Sequence, residues 1–326
     1  MLETSQPRAW KVFLAFATIY LVWGSTFLAI RIGVQEVPPF LLAGMRFLAA
    51  GIVMYAWLRA KGISSPTARE WGSATLIAVP IFVLDYGGVF WAERRVPSGI
   101  TAVMMATIPV FMALAEIVVL KTRRLTLRLG SALLVGMCGV VVLVSRSFGL
   151  GDAPIDMLGA GALIIAAIGW AVGSLMTRKL ALPSSKAMSS GAQMLTGGVL
   201  LTLISASLGE FRGFHLQAVS GRAWFALAYL VGAGSILAYT AYIWLIHHES
   251  PTKVGTYAYV NPVVAVILGY FVGGEGIGPR TVLGTALVLV SVVVITLAPK
   301  DKPDTSANTV TASDADLSEA AAETEN

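Results

Sequence analysis

The feature that most constrains this chain is its series of apolar runs, each long enough, or nearly so, to cross a lipid bilayer. A membrane span needs about 20 consecutive apolar residues. Ten runs qualify: Trp10–Ile30, Phe40–Leu58, Ala74–Trp91, Gly99–Leu120, Leu129–Ser145, Met157–Met176, Ala187–Leu208, Ala223–Ile246, Val254–Val272 and Thr281–Ala298. Turn-forming pairs stand between them, among them Pro38-Pro39, Pro97-Ser98, Pro183-Ser184, Pro251-Thr252 and Gly278-Pro279. Backbone groups in hydrocarbon must bond within their own segment, so each run is expected to be a helix. The alternating pattern of a membrane barrel is absent. The expectation is an all-α integral membrane protein with ten transmembrane helices. Composition agrees, with 56% hydrophobic and 13% charged residues against roughly 25% charged in ordinary soluble domains. A soluble enzyme, a disordered chain and a nucleic-acid-binding domain are excluded as leading readings.

Charge sets the orientation. If all ten runs cross, fifteen Lys and Arg fall on the side of the N-terminus and seven on the other, with Arg46 inside a span. Lys and Arg accumulate on the cytoplasmic side, so both termini are expected there. Residues 1–9 form a short N-terminal segment, and no cleavage site follows the first run, which is read as a permanent helix. Residues 299–326 are rich in Ser, Thr, Ala and acids and are expected to form a disordered cytoplasmic tail. The single cysteine, Cys138, is expected to be a small buried apolar residue.

The chain also repeats. Val96-Pro97-Ser98 opens a run that reaches Pro109, and Ser250-Pro251-Thr252 opens one that reaches Pro262. Near the start of each half stands a Trp followed by Gly-Ser: Trp23-Gly24-Ser25, and Trp170 with Gly173-Ser174. Two halves, 10–145 and 146–298, each hold five runs. An odd number forces the second half to enter from the opposite side, giving two inverted five-helix repeats with a substrate site between them near the midplane. One chain holds both halves, so a functional monomer is expected.

Intramembrane charges are costly and are candidate functional groups. Arg46 is read either as a contact for an anionic group of substrate or as a structural arginine that snorkels outward or pairs with Glu93 or Asp85. Asp85 and Glu116 are candidates for proton coupling; the other reading makes Asp85 a partner of Arg46, and Glu116 a partner of Lys121, Arg123 or Arg124. Pro109 and Pro262 are expected to kink mid-helix and to line the pathway. Tyr257 and Asn261 share a helix face, as do Tyr239 and Tyr242. With Trp23, Ser25, Thr26, Trp91, Met104, Met105, Trp170 and Ser174 they are candidates for an adaptable pathway wall. His215, His247 and His248 have no partner at metal-ligand spacing, and no metal is expected.

Trp23-Gly24-Ser25-Thr26-Phe27, Arg46-Phe47-Leu48-Ala49-Ala50-Gly51 and Val96-Pro97-Ser98-Gly99 resemble the first repeat of the EamA family, within the drug/metabolite transporter superfamily. Tyr257-Ala258-Tyr259-Val260-Asn261-Pro262, followed by Gly274-Glu275, resembles the second. The likeness runs over residues 10–298 and implies ten helices, cytoplasmic termini and export of small metabolites or toxic compounds. Lys121-Thr122 departs from it, standing where the second repeat has Gly274-Glu275. No Gly-rich phosphate loop is present, so neither ATP nor another cofactor is expected. The resulting expectation is a secondary transporter working on a small molecule by alternating access, with protons as a candidate partner. The alternatives are a facilitated-diffusion channel, an uptake permease or, further off, a membrane-embedded transferase. Against the transferase, no His, Cys or carboxylate pair gathers at one membrane face.

Overall fold

A computed structural model describes residues 9–118, 125–145, 156–177, 179–249, 254 and 256–297. Among these the regular structure is entirely helical. In chain order the α-helices are α1 (Ala9–Val34), α2 (Pro39–Ala60), α3 (Ala68–Ala78), α4 (Gly87–Ala92), α5 (Ser98–Met105), α6 (Ile108–Val118) and α7 (Leu127–Val144). They continue with α8 (Met157–Met176), α9 (Lys186–Ser207), α10 (Gly221–Tyr229), α11 (Ala238–His248), α12 (Tyr257–Phe271) and α13 (Pro279–Leu297). Two eight-residue π-helical segments, Val79–Tyr86 and Leu230–Leu237, join α3 to α4 and α10 to α11. Among the described residues, seven helical stretches are long and apolar enough to cross a membrane, and three shorter apolar helices accompany them.

The starts follow local chemistry. Pro39 opens α2, where a missing N–H costs nothing. Thr67 and Glu70 form a reciprocal capping box ahead of α3. Asp156, Ser185 and Ser220 each cap the helix that follows with a side-chain oxygen. One break differs from expectation. The run through Pro109 was expected to bend mid-helix, yet Ala106 and Thr107 form a turn there and Pro109 stands in the first turn of a new helix, α6. The Thr107 hydroxyl donates back to the Met104 carbonyl at 2.6 Å, closing α5 before the proline can clash with it. Pro262 lies inside α12, as expected.

The helices pack in cross-chain pairs: α2 on α9, α7 on α13, α1 on α12 and α11, and α8 on the Val79–Tyr86 segment, α5 and α6. Lipid supplies no hydrophobic force between helices, so close approach of small residues carries the association. A Cβ on Gly198 would sit 2.5 Å from the Leu48 backbone nitrogen, and one on Gly51 would sit 2.7 Å from that of Leu195. These glycines let α2 and α9 approach to backbone contact.

Cys138 corrects an expectation: it is exposed on α7 rather than buried. Leu134, Met137 and Val141 are exposed beside it. Their spacing makes one apolar stripe along the helix, the face a bilayer would cover. The tail beyond Leu297, the side chains of Glu116 and His247, and Lys121, Arg123 and Arg124 lie outside the described residues.

Candidate functional site

A cavity of about 220 Å³ opens between α1, α2, the Val79–Tyr86 segment, α4, α5, α6, α8 and α12. Arg46 and Asp85 stand in its wall although each is almost wholly buried, at 3% and 2% exposure. The two are not ion-paired; among the described residues the pairs within 4.0 Å are Arg31–Glu275 and Arg95–Asp156. The reading of Arg46 as a partner of Glu93 or Asp85 is therefore corrected. Its guanidinium lies instead across aromatic faces, 4.8 Å from the Phe47 ring centre and 5.4 Å from that of Tyr86. Its Nε donates to Ser235 Oγ at 3.0 Å. Cation–π contact and one hydrogen bond replace the carboxylate. Nη1 of Arg46 and Oδ1 of Asp85 have no hydrogen-bond partner. Two residues of the cavity wall thus each keep one buried polar atom, a donor and an acceptor, with unmet demand. Such groups are costly to leave empty.

The π-helical segments explain how these groups reach the cavity. A π turn bonds i to i+5, which widens the helix and frees a carbonyl for other donors. Gly234 in the second segment accepts the Trp23 indole N–H at 3.1 Å, and Ser235 beside it anchors Arg46. Asp85 comes from the first segment.

Most of the proposed wall gathers here. Trp23, Thr26, Trp170, Tyr257 and Asn261 line the cavity, together with Pro109 and Pro262. Met105 and Ala106 border it at the break before α6. Pro262 has no N–H, so it withholds the helical donor from the carbonyl of Ala258, another wall residue. With its amide turned to satisfy both neighbours, Asn261 donates to the carbonyls of Tyr20 (3.2 Å) and Tyr257 (3.3 Å).

Other candidates lie elsewhere. Ser25 bonds the Tyr229 hydroxyl at 2.6 Å. Met104 is fully buried in the packed core behind the wall. Tyr239 is held by Ser190, and Ser174 and Trp91 fall outside the lining. Tyr242 stands behind Trp23 and Tyr257, with ring centres 5.4 and 6.1 Å away. Sequence reasoning missed Phe27, Tyr86 and Met112, which all line the cavity. Tyr86 follows Asp85 directly, and that adjacency was the available signal.

The two ends of the bundle are closed differently. Near the end of α1, Glu275 accepts from Ser98 N and Oγ, both at 2.7 Å, and from Gly99 N at 3.0 Å, capping α5. At the same end Glu210 accepts from Leu41 N at 2.9 Å, and Glu36 accepts from Ser220 N at 2.6 Å. The Ser220 hydroxyl also donates to Glu36, at 2.7 Å, and that bond first, with the Ser220 backbone bond second, holds Glu36, outside the spans, below the ordinary carboxylate pKa. The opposite end is closed by packing of Phe16, Tyr20, Trp23, Tyr242 and Tyr257 around Ile19 and Leu245. Among the described residues no group of three or more His, Cys, Asp or Glu is disposed to hold a metal.

The comparisons agree with this architecture. The chain is 38% identical to the uncharacterized inner membrane transporter YedA of Escherichia coli K12 over 288 residues, covering 88% of this chain and 90% of that protein. It is 26% identical to an uncharacterized transporter of Archaeoglobus fulgidus, over 88% of this chain and 97% of the other. A crystal structure of a protein 24% identical shares the fold at a TM-score of 0.58, over 89% of this chain and 98% of that one. The EamA-like transporter family matches residues 10–145 and 157–297, nearly all that is described. The chain belongs to the EamA-like transporter family and is a membrane protein.

Proposed function

We propose that this protein is a secondary transporter that exports small organic metabolites, amino-acid-like compounds or drugs from the cytoplasm by alternating access. The observation that carries the reading is the buried cavity with an unpartnered arginine Nη1 and an unpartnered aspartate Oδ1 among aromatic rings. A solute bearing an acidic and a basic group satisfies both, and rings beside them accept its apolar part. Arg46 takes the anionic group. Asp85 takes the basic group or a proton. Trp23, Thr26, Trp170, Tyr257 and Asn261 form the wall, and α5–α6 and α12 flex at Pro109 and Pro262.

In this reading ten helices cross the membrane as two inverted repeats, with both termini cytoplasmic. Two observations support it. The π-helical segments fall at corresponding places in the two halves. The first helix of each half packs on the fourth of the other, α1 on α12 and α8 on α5 and α6. The export direction and the inner-membrane location rest on the family resemblance and on the inner-membrane relative. The protein is read as working alone, without a cofactor and without enzymatic activity.

The test is efflux from cells overproducing the chain, loaded with a panel of amino acids, their analogues and cationic drugs. Accelerated efflux of a panel member, lost in Arg46→Gln, is the expected result. Sensitivity to an uncoupler separates proton-coupled export from facilitated diffusion. Uptake in place of efflux, or efflux indifferent to Arg46, overturns the reading.

A further inference from the structure

Glu93 follows α4, one residue past the span Ala68–Ala92. It is fully buried, and neither of its carboxylate oxygens has a hydrogen-bond partner. Its surroundings are not apolar. Arg31 of α1 donates from Nη1 to the backbone carbonyl of Glu93 and, at 2.9 Å, to that of Val96. Arg31 Nε lies 3.9 Å from Glu275 Oε1. Glu275 is well served, with three donors from the first turn of α5. One guanidinium therefore stands among two carboxylates, one saturated and one with nothing.

The charges around this end can be named. On the same segment are Arg94 and Arg95; Arg95 lies over the Trp91 ring at 4.0 Å and 3.9 Å from Asp156, which caps α8. From α2, Arg46 reaches the Phe90 ring at 6.0 Å. The Val79–Tyr86 segment contributes Asp85. Arg31 comes from α1, and Glu275 follows α12. A buried carboxylate without donors is not stable as an anion. Burial raises the Glu93 pKa well above the ordinary carboxylate range, Arg31 opposing and Glu275 adding to the rise.

We infer that Glu93 is the residue at which the transport cycle exchanges a proton, and that its ionisation decides which carboxylate Arg31 serves. The inference rests on the transporter reading above, and it moves the proton from Asp85 and Glu116 to a buried residue outside the cavity lining, at the end of the bundle that Arg31 and Glu275 hold. Protonated, Glu93 makes no claim on Arg31. Arg31 then stays with Glu275 and the 93–97 segment, and α1, α5 and the end of α12 remain clasped. Ionised, Glu93 is a second anion on the same cation, in a place that only entering water can solvate. Arg31 is drawn from Glu275, the clasp loosens and the cavity opens at this end. The proton passes from the Glu93 carboxyl to the entering water and returns to it on closure, so the step needs no other reactant.

The experiment uses the full chain carrying Cys138→Ser in lipid nanodiscs, with spin labels on Gln35→Cys and Ile277→Cys, which flank the clasp from just beyond α1 and from beyond α12. Pulsed electron paramagnetic resonance reads their separation on the acid and the alkaline side of neutrality. The expected result is a severalfold larger long-distance population on the alkaline side. Glu93→Gln, which mimics the protonated acid, holds the short distance at both. Glu275→Leu, which removes both the acceptor and the charge of the clasp, gives the long distance at both. A native distribution that does not change with pH overturns the inference, and so does one that shifts equally in Glu93→Gln. No transported solute enters this measurement. A null result here leaves the transporter reading standing, and a failed efflux test leaves the distance shift to be judged alone.

Discussion

Arg46 is bound on one side and empty on the other. Its Nε is tied to Ser235 and its plane rests on Phe47 and Tyr86, which leaves Nη1 buried in the cavity wall without a partner. Lysine keeps the charge but has neither the planar face nor the fork of donors. Arg46→Lys is therefore expected to raise KM for an anionic solute by roughly 10- to 100-fold, the equivalent of about 1.5–3 kcal/mol for a hydrogen bond to a charged group. Efflux kinetics check it; an unchanged KM would remove Arg46 from the binding site. Asp85→Asn is expected to cost transport of solutes with a basic group and to spare those without one, which a matched pair of solutes tests. Much of this was legible residue by residue. An arginine and an aspartate inside apolar runs announce themselves by their cost, and Trp23, Trp170 and Tyr257 by their size. What Arg46 touches was not legible, because a hydroxyl and two rings from distant segments stand in for the carboxylate that charge alone suggests.

The elements show why side-chain faces were harder to read than helix positions. Apolar runs locate the helices, since backbone bonding in lipid leaves one choice. The faces depend on a constant 3.6-residue period, and the π-helical segments Val79–Tyr86 and Leu230–Leu237 interrupt it. Tyr239 and Tyr242 follow such a segment and lie outside the cavity lining, whereas Tyr257 and Asn261, in the first turns of α12 with no π-helical segment ahead of them in that helix, line it. Pro109 was recognised as a disturbance but not as a helix start, because the turn at Ala106–Thr107 depends on the Thr107 hydroxyl as much as on the proline ring. Packing between elements makes its own prediction. The Gly198 position faces the Leu48 nitrogen at a distance no Cβ tolerates. Gly198→Val is expected to part α2 from α9 and to cost about 1–3 kcal/mol of stability, seen as a lower melting midpoint in detergent. An unchanged midpoint would mean that the α2–α9 seam has slack.

Across the whole molecule, three carboxylates at one end tie the two halves of the sequence together: Glu36 to Ser220, Glu210 to Leu41, and Glu275 to Ser98 and Gly99. The Glu36 link has a defined pH response. Its folded pKa is lowered, so its contribution is full above the ordinary carboxylate pKa and is lost as pH falls through the depressed folded value. The native protein is expected to melt above Glu36→Gln at neutral pH, with the gap closing in acid. Equal melting at both would show that the link carries no stability. None of these long-range ties was visible in the sequence, where Glu36 and Ser220 are loop residues far apart. Cys138 has a practical consequence at the same scale. The chain's one thiol lies on the apolar stripe of α7, where hydrocarbon would exclude ionic reagents. A cysteine introduced into the cavity or either closed end is then the one thiol that a charged maleimide in water can reach. The native chain is thus its own unlabelled background for mapping every position along the route.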